Sequence, residues 1–550
     1  MLTSRRSTLS AGLMLAAVSV LLGSRLVSGA VRYTLTTSVE PAGSGSITPS
    51  EGTFSRNNYI VVTATPLPGC QFDHWSGDLS GSENPTHYRF DTGKYAVTFV
   101  AYFVPAPGFS CPPPPPPPPP PPDPPPAVTA QVVGYFPEWG VYHQPPYYVK
   151  HIKDSRAVDG LTIVNYAFVV PGPDAAGTVV CQLDDPVAAY QQSYTNAMSV
   201  DGVGDTGQPL RGHFNQLREL KSLFPNLKVV VSLGGWLGST WFSDAAATAA
   251  SREAFVTSCL GMFVDGDLPA VSGAGGLGAA SNVFDGFDLD WEYPVAGGAQ
   301  GTHHRSDDGA NFTLLLAEFR RQFALRGRSD LLLTMAGPGS DYRGQNFHLS
   351  EDHQYLDFVS VMTYDYHGAW ERSTGHHTNL CTSPDDPSSE TWRVSLDKSV
   401  KLYRDVYLVP AAKIVPGGAF YARGWKGVRS TNNGLYQRGS GAAPGKYENG
   451  SDLYRDLPVS ANGDPVPGSG FTRYWDAKAQ APWLFNPLSG IFWSYDDANS
   501  LALKGEYVRF HRLGGLMFWE LSGDNAAGAL FQQMDLALKA DPPPSDPCTR

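Results

Sequence analysis

Residues 284–294 read Phe-Asp-Gly-Phe-Asp-Leu-Asp-Trp-Glu-Tyr-Pro, which places four carboxylates, Asp285, Asp288, Asp290 and Glu292, within eight residues. The last three are spaced by two. Side chains alternate along an extended strand, so Asp288, Asp290 and Glu292 share one face and Phe287, Leu289 and Trp291 share the other. Like charges stacked this closely cannot all ionise, and at least one pKa must rise. A carboxyl that keeps its proton near neutral pH is a general acid. Clustered carboxylates also suit a divalent cation, but the sequence offers no second acidic or histidine cluster to complete a cage. The reading adopted is proton chemistry with no metal and no cofactor. Asp285 falls on the opposite face by parity and is expected to be structural, at the strand's start.

An acid strand of this kind needs a scaffold that presents its end to solvent. Short apolar runs at 132–136, 161–168, 227–233, 287–291, 331–336, 358–364, 414–420 and 515–519 alternate with helical periodicity. Phe312, Leu315, Leu316, Phe319 and Phe323, for example, are spaced as one buried helix face. Eight strands alternating with helices over about 400 residues predict an α/β fold, a (β/α)8 TIM barrel, in which active-site residues sit at the C-terminal strand ends. The acid cluster, Tyr364, Tyr421 and Trp519 all fall at such ends.

With those segments in place a resemblance can be stated. Asp285-x-x-Asp288-x-Asp290-x-Glu292, with Gly286, Trp291 and Pro294, resembles the signature of the family 18 glycoside hydrolases, the chitinases. Ser232-Leu-Gly-Gly-Trp236 resembles that family's segment on the third barrel strand. Tyr135-Phe-Pro-Glu-Trp139, Met362-Thr-Tyr-Asp365, Tyr421-Ala-Arg-Gly-Trp425 and Phe518-Trp-Glu520 resemble four further segments in the expected order. The resemblance covers about 130–540 and is closest to the bacterial chitinase A type. It implies an α+β insertion between strands seven and eight, about 426–493, of which Lys446-Tyr-Glu-Asn-Gly450 resembles a part. It also implies non-proline cis peptides at Ala167–Phe168, Glu292–Tyr293 and Trp519–Glu520.

The resemblance further implies hydrolysis of β-1,4-linked N-acetylglucosamine polymers with retention, the substrate's own acetamido oxygen acting as nucleophile. Glu292 would protonate the glycosidic oxygen. Asp290 would orient the acetamido group and stabilise the oxazolinium ion. Asp288 would share a proton with Asp290, and the Tyr364 hydroxyl would meet the acetamido group, with Asp365 beside it. Ser232 would reach inward toward the acids. Sugar rings present apolar faces that stack on aromatic side chains. Trp519 would floor the centre, Trp236 and Trp370 the leaving-group side, and Trp139 the non-reducing side with Tyr447 and Glu448. Phe168, Met362, Tyr421 and Arg423 complete the implied substrate-binding set. A non-catalytic chitin-binding lectin of the same fold would lack one of the acids, all of which are present. An endo-β-N-acetylglucosaminidase acting on another glycan by the same mechanism is a further alternative, as is an adhesin centred on the N-terminal module.

The rest of the chain sets the context. The formal charge of −12 becomes three units more negative without residues 1–30, which argues against nucleic acid or an anionic membrane as partner. The expected partners are chitin and chito-oligosaccharides, met by a monomer. Arg5-Arg6, an apolar run too short to span a bilayer and Ser28-Gly-Ala30 read as an export signal cut after Ala30, hence a secreted protein; a membrane anchor is the alternative. Residues 31–104 carry strand-like runs at 33–39, 58–64 and 96–103 and read as a small β-rich module. Its Phe72-Asp-His-Trp-Ser-Gly-Asp78 resembles the centre of an internalin B-repeat-like module, with Trp75 expected in its core. Residues 105–126 form a proline-rich linker whose polyproline II stretch spans on the order of 45 Å. The catalytic domain is assigned to 127–541 and a tail to 542–550. The six cysteines show no zinc spacing and no pairing can be read from them; Cys259, four residues after Phe255, is expected to be a buried free thiol.

Overall fold

In this computed structural model the described residues are 32–549 except 43, 68, 91–93, 95, 108–110, 112–129, 461–462, 542 and 544. The export signal and nearly all of the proline-rich linker lie outside them. The chain divides into two units, Met1–Ala127 and Val128–Arg550.

In the first unit two small sheets enclose Trp75, Phe90, Phe99 and Phe103, all nearly inaccessible to solvent. Trp75 is thus a core residue, its indole N–H donating to the Glu83 carbonyl at 3.0 Å. The first strand, Arg32–Glu40, and the last, Ala96–Pro105, run side by side in parallel, from Thr34 opposite Ala96 to Glu40 opposite Tyr102. Cys70 opens the strand Cys70–Gly77, pairs across it with Pro105, and is disulfide-bonded to Cys111. Four strands here (Gly45–Thr48, Glu51–Ser55, Cys70–Gly77 and Thr86–Arg89) go beyond the three expected runs.

The second unit is a closed parallel barrel. Its strands are β1 (Gln131–Pro137), β2 (Ile163–Pro173), β3 (Lys228–Gly234), β4 (Gly286–Asp290), β5 (Leu332–Pro338), β6 (Phe358–Met362), β7 (Ile414–Ala419) and β8 (Gly515–Trp519). Each pairs with the next, and β8 with β1. Helices α1 (Lys150–Asp154), α2 (Gly212–Leu223), α3 (Ala249–Leu260), α4 (Asp308–Leu325), α5 (Leu349–Asp352), α6 (Leu396–Lys401), α7 (Ala498–Phe510) and α8 (Ala529–Lys539) follow the strands in order. Phe287, Leu289 and Trp291 point outward into the layer between β4 and the helices, where Phe287 packs on Phe319 and Phe323 of α4. The barrel's interior is filled by Val133, Tyr135, Ile163, Val230, Phe358, Val415 and Met517.

Between β7 and β8 the chain builds an antiparallel sheet from Tyr421–Lys426, Gly441–Ala442, Ser451–Leu453, Thr472–Asp476, Ala481–Asn486 and Ile491–Tyr495. The sheet begins five residues before the expected insertion, because Tyr421–Lys426 serves both as one of its strands and as the segment leaving β7. Within it, among the described residues, a single 3-10 turn lies at Tyr454–Asp456, and Thr431–Gly434 is a tight turn in which Asn432 and Asn433 take left-handed φ of +49° and +50°.

The expectation for Cys259 is overturned. Cys259 on α3 is bonded to Cys181, which lies on the short strand Val179–Leu183 that doubles back along β2. Burial alone suggested a free thiol, but the hairpin partner comes from 78 residues away in sequence. Cys381 and Cys548 form a third disulfide, fastening the tail to the segment after β6. His511 and Asp546 pair beside it at 3.0 Å. No helix among the described residues is long and apolar enough to cross a membrane.

Candidate active site

Parallel register builds the site from below. Ser232 on β3 stands opposite Asp288 on β4, and Asp288 opposite Thr334 on β5. Residues in register on adjacent strands share a face, so these three side chains meet inside the barrel. Ser232 donates to Asp288 Oδ2 at 2.9 Å, Tyr135 of β1 donates to the same oxygen at 2.9 Å, and Thr334 donates to Oδ1 at 2.6 Å. Asp288 is fully buried. Burial raises its pKa and the three donors pull it back, leaving it raised.

Asp290, two residues up the strand and 4% exposed, has a different environment: among the described residues its Oδ1 accepts no hydrogen bond. Burial, then the charges of Glu292 and Asp288, push its pKa well above the usual carboxylate range. Glu292 lies just past the strand end and is 9% exposed. Burial raises its pKa to about 7; the Tyr293 hydroxyl opposes this and the nearby Asp365 charge adds to it. The Ser239 hydroxyl receives the Glu292 N–H at 2.9 Å and fixes the turn. Gly234 and Gly235 have φ of +104° and +75°; a Cβ would fall 2.3 Å from the Asp290 carbonyl at the first and 2.6 Å from the Phe168 ring at the second. The close approach of β3 to the acid strand requires glycine there. The peptides Ala167–Phe168, Glu292–Tyr293 and Trp519–Glu520 are all cis.

On the far side of the acids the Tyr364 hydroxyl makes, among the described residues, a weak contact of 3.8 Å to Met517 Sδ. Asp365, with φ +56°, accepts from Tyr421 at 2.7 Å and from Arg423 through two bonds of 2.7 Å. Its side chain is 38% exposed along one edge of the cleft. Desolvation opposes its ionisation, but the Arg423 guanidinium and then the His377 ring outweigh that and hold the carboxyl well below the usual carboxylate range. Arg423 also lies 5.3 Å from the Trp370 ring and 3.5 Å from Glu448.

Aromatic rings line the adjoining surface. Trp519 stacks on Phe168 at 5.5 Å and lies 6.0 Å from Trp139, whose indole N–H donates to the Tyr447 hydroxyl at 2.9 Å. That bond ties β1's loop to the insertion. Met362, Tyr364 and Trp519 all pack against the barrel-interior cluster. Trp236 and Trp370 are 53% and 61% exposed. The expected set is therefore brought to one end of the barrel, with Trp236 making no ring contact to the other platforms among the described residues. Asp285 sits at the opposite, N-terminal end of β4, paired with Lys221 at 2.7 Å and accepting the Val229 N–H.

Sequence reasoning missed Tyr135 and Thr334 as partners of Asp288, Tyr293 and Ser239 around Glu292, and His377 behind Asp365. Parity was the available signal for the first two: each is a polar residue on the inward face of an otherwise apolar strand.

Comparison with known proteins gives a consistent picture. Residues 131–524 match the model of the glycosyl hydrolases family 18, and residues 35–107 match the divergent InlB B-repeat domain. Chitinase A1 of Niallia circulans is 36% identical over 441 residues, covering 75% of this chain and 58% of that one. Chitinase C of Streptomyces lividans is 36% identical over 403 residues, covering 72% and 58%. The chain thus spans less than two thirds of the length of these curated relatives. The catalytic domain of psychrophilic chitinase B from Arthrobacter TAD20 superimposes with a TM-score of 0.69 at 35% identity, covering 76% of this chain and 98% of that one.

Proposed function

The chain belongs to the glycosyl hydrolases family 18, and from that premise we propose that it is a secreted chitinase that hydrolyses β-1,4-linked N-acetylglucosamine polymers by substrate-assisted catalysis with retention. The observation that carries this reading is the graded environment of the three acids. Asp288 is anchored by three hydroxyl donors, Asp290 offers a buried oxygen with no donor, and Glu292 sits at the strand tip with a pKa of about 7.

Those environments divide the labour. Glu292, protonated near neutral pH, donates its proton to the glycosidic oxygen as the bond to the leaving sugar breaks. The acetamido oxygen of the sugar on the non-reducing side of that bond attacks its anomeric carbon and closes an oxazolinium ring. Asp290 accepts the acetamido N–H on its unpaired oxygen and balances the positive charge. Asp288 shares a proton with Asp290, so the pair carries one negative charge rather than two. Tyr364 donates to the acetamido group. Asp365 is held by Arg423 and Tyr421, which leaves it to orient neighbours rather than to attack. Water activated by Glu292, now a carboxylate, opens the ring from the face the leaving group left.

The aromatic surface suits a polymer, because stacking grips successive rings without directional bonds that would stop them sliding. Export is supported by the use of all six cysteines in disulfides, which form and persist in oxidising compartments. The protein is proposed to act as a monomer, with residues 31–104 as a tethered module on a proline-rich spacer.

The deciding experiment is chitotetraose hydrolysis by wild type and Glu292→Gln. The variant is expected to stay folded and bind chito-oligosaccharide while losing roughly 10²–10⁴ in rate. Near-wild-type turnover would show that Glu292 is not the acid.

A further inference from the structure

Among the described residues of the barrel unit, seven aromatic side chains are well exposed, and all but Phe510 stand in the connections that follow the C-terminal ends of strands. Trp236, Trp370 and Tyr447 belong to the cleft proposed above, and Tyr142 lies on the same 3-10 turn as Trp139. Two rings remain unassigned: Tyr342, in the loop after β5, and Trp392, in the loop after β6. They are 49% and 51% exposed and lie against each other, ring centres 5.1 Å apart and tilted by 54°.

The pair is connected to the acid cluster. Arg343 packs its guanidinium 4.4 Å from the Tyr342 ring centre and 5.7 Å from that of Tyr293, the residue following Glu292. The same side chain donates to the Ala296 carbonyl at 2.9 Å and so fastens the loop after β4 to the loop after β5. Barrel order then gives direction. The central platform, Trp519, comes from β8, and those of the non-reducing side, Trp139 and Tyr447, come from β1 and the insertion. Those of the leaving-group side, Trp236 and Trp370, come from β3 and β6 and bound an arc that contains β4 and β5. Tyr342 and Trp392 stand on that arc.

We propose that Tyr342 and Trp392 form an additional sugar-binding platform for the leaving-group portion of a long N-acetylglucosamine chain. This rests on the chitinase reading. Two rings inclined to each other and half open to solvent present apolar faces to a pyranose, and Arg343 holds Tyr342 in place from beneath by cation–π contact. Short substrates that end within the central cleft would not reach the pair; a polymer would.

The test uses the full chain carrying Tyr342→Ala, Trp392→Ala or both, with initial rates on chitotriose and on soluble, partly deacetylated chitin, and thermal melting as a control. The expected result is a KM for the polymer raised roughly three- to tenfold, with kcat/KM on the trimer unchanged and melting within a degree or two. Unchanged polymer kinetics in the double variant would overturn the proposal and leave the patch to some other partner, such as a protein. Equal losses on trimer and polymer would also overturn it, since they would mark a general structural role. If wild type cleaves neither substrate, it is the chitinase reading that fails first.

Discussion

Thr334→Val is the most informative perturbation of the acid cluster. The swap nearly preserves shape and removes one O–H. That hydroxyl donates to Asp288 at 2.6 Å in a site that is 1% exposed at Thr334 and fully buried at Asp288, so no solvent can replace it. A hydrogen bond to a charged group contributes about 1.5–3 kcal/mol, which at 1.36 kcal/mol per pH unit is roughly one to two units. The donor favours the ionised carboxyl, so its loss raises the proton affinity of the Asp288–Asp290 pair. In the proposed mechanism that pair must hold one proton and not two. The acidic limb of the kcat/KM–pH profile should therefore move to higher pH by about one to two units, while the basic limb, set by Glu292, stays in place. Tyr135→Phe, which removes a second donor, should move the same limb the same way. The assay is the pH profile on a chromogenic chito-oligomer, with folding checked by circular dichroism. An acidic limb that stays put, or moves down, in a folded variant would refute the idea that these hydroxyls set the charge of the pair.

Three further outcomes are expected. Because the proposed acid Glu292 must be protonated, and burial pushes its pKa to about 7 in the free protein, kcat/KM should fall as pH rises through that value; by the same sign, ionised Glu292 destabilises the fold, so Glu292→Gln should melt above wild type at pH 8 and converge with it below the ordinary glutamate range. Proton NMR of freshly formed product should show the β anomer, and a thiazoline analogue of the oxazoline should inhibit competitively; initial release of the α anomer would eliminate the acetamido pathway. Residues 128–550, retaining Cys548 and its bond to Cys381, should cleave soluble oligomers as fast as the full chain, whereas a several-fold loss would mean that residues 31–126 contribute to the site.

The barrel was legible because each strand is an apolar run bounded by turns, and the acid strand because its charges recur with period two. Residues that act through register left no local trace. A single threonine in Leu-Leu-Thr-Met-Ala looks like any strand position until β4 and β5 are aligned and it meets Asp288. The disulfides were illegible for the same reason, as Cys259 shows: its helix predicts burial but not the hairpin that brings Cys181 to it. Three of the four additional strands of the N-terminal module are short and polar, with segments such as Gly-Ser-Ile-Thr that show no apolar run, and in the fourth, Cys70–Gly77, a register shift between Phe72 and His74 breaks the alternation. The insertion was placed a few residues late because Tyr421-Ala-Arg-Gly-Trp425 carries both a functional signal and a strand, and the first masked the second.

The pairing of the N-terminal module's outer strands has a mechanical consequence. Its first and last strands are parallel neighbours, so tension applied to the two ends of the module pulls them along their length in opposite directions. All seven paired positions from Thr34–Ala96 to Glu40–Tyr102 are loaded in shear at once instead of being peeled one at a time. The Cys70–Cys111 bond catches the chain one residue before the prolines and passes the pull into a second strand beside the last one. A module wired in this way resists being pulled open by its ends, and reduction of that one disulfide should lower its unfolding force in a single-molecule pulling experiment.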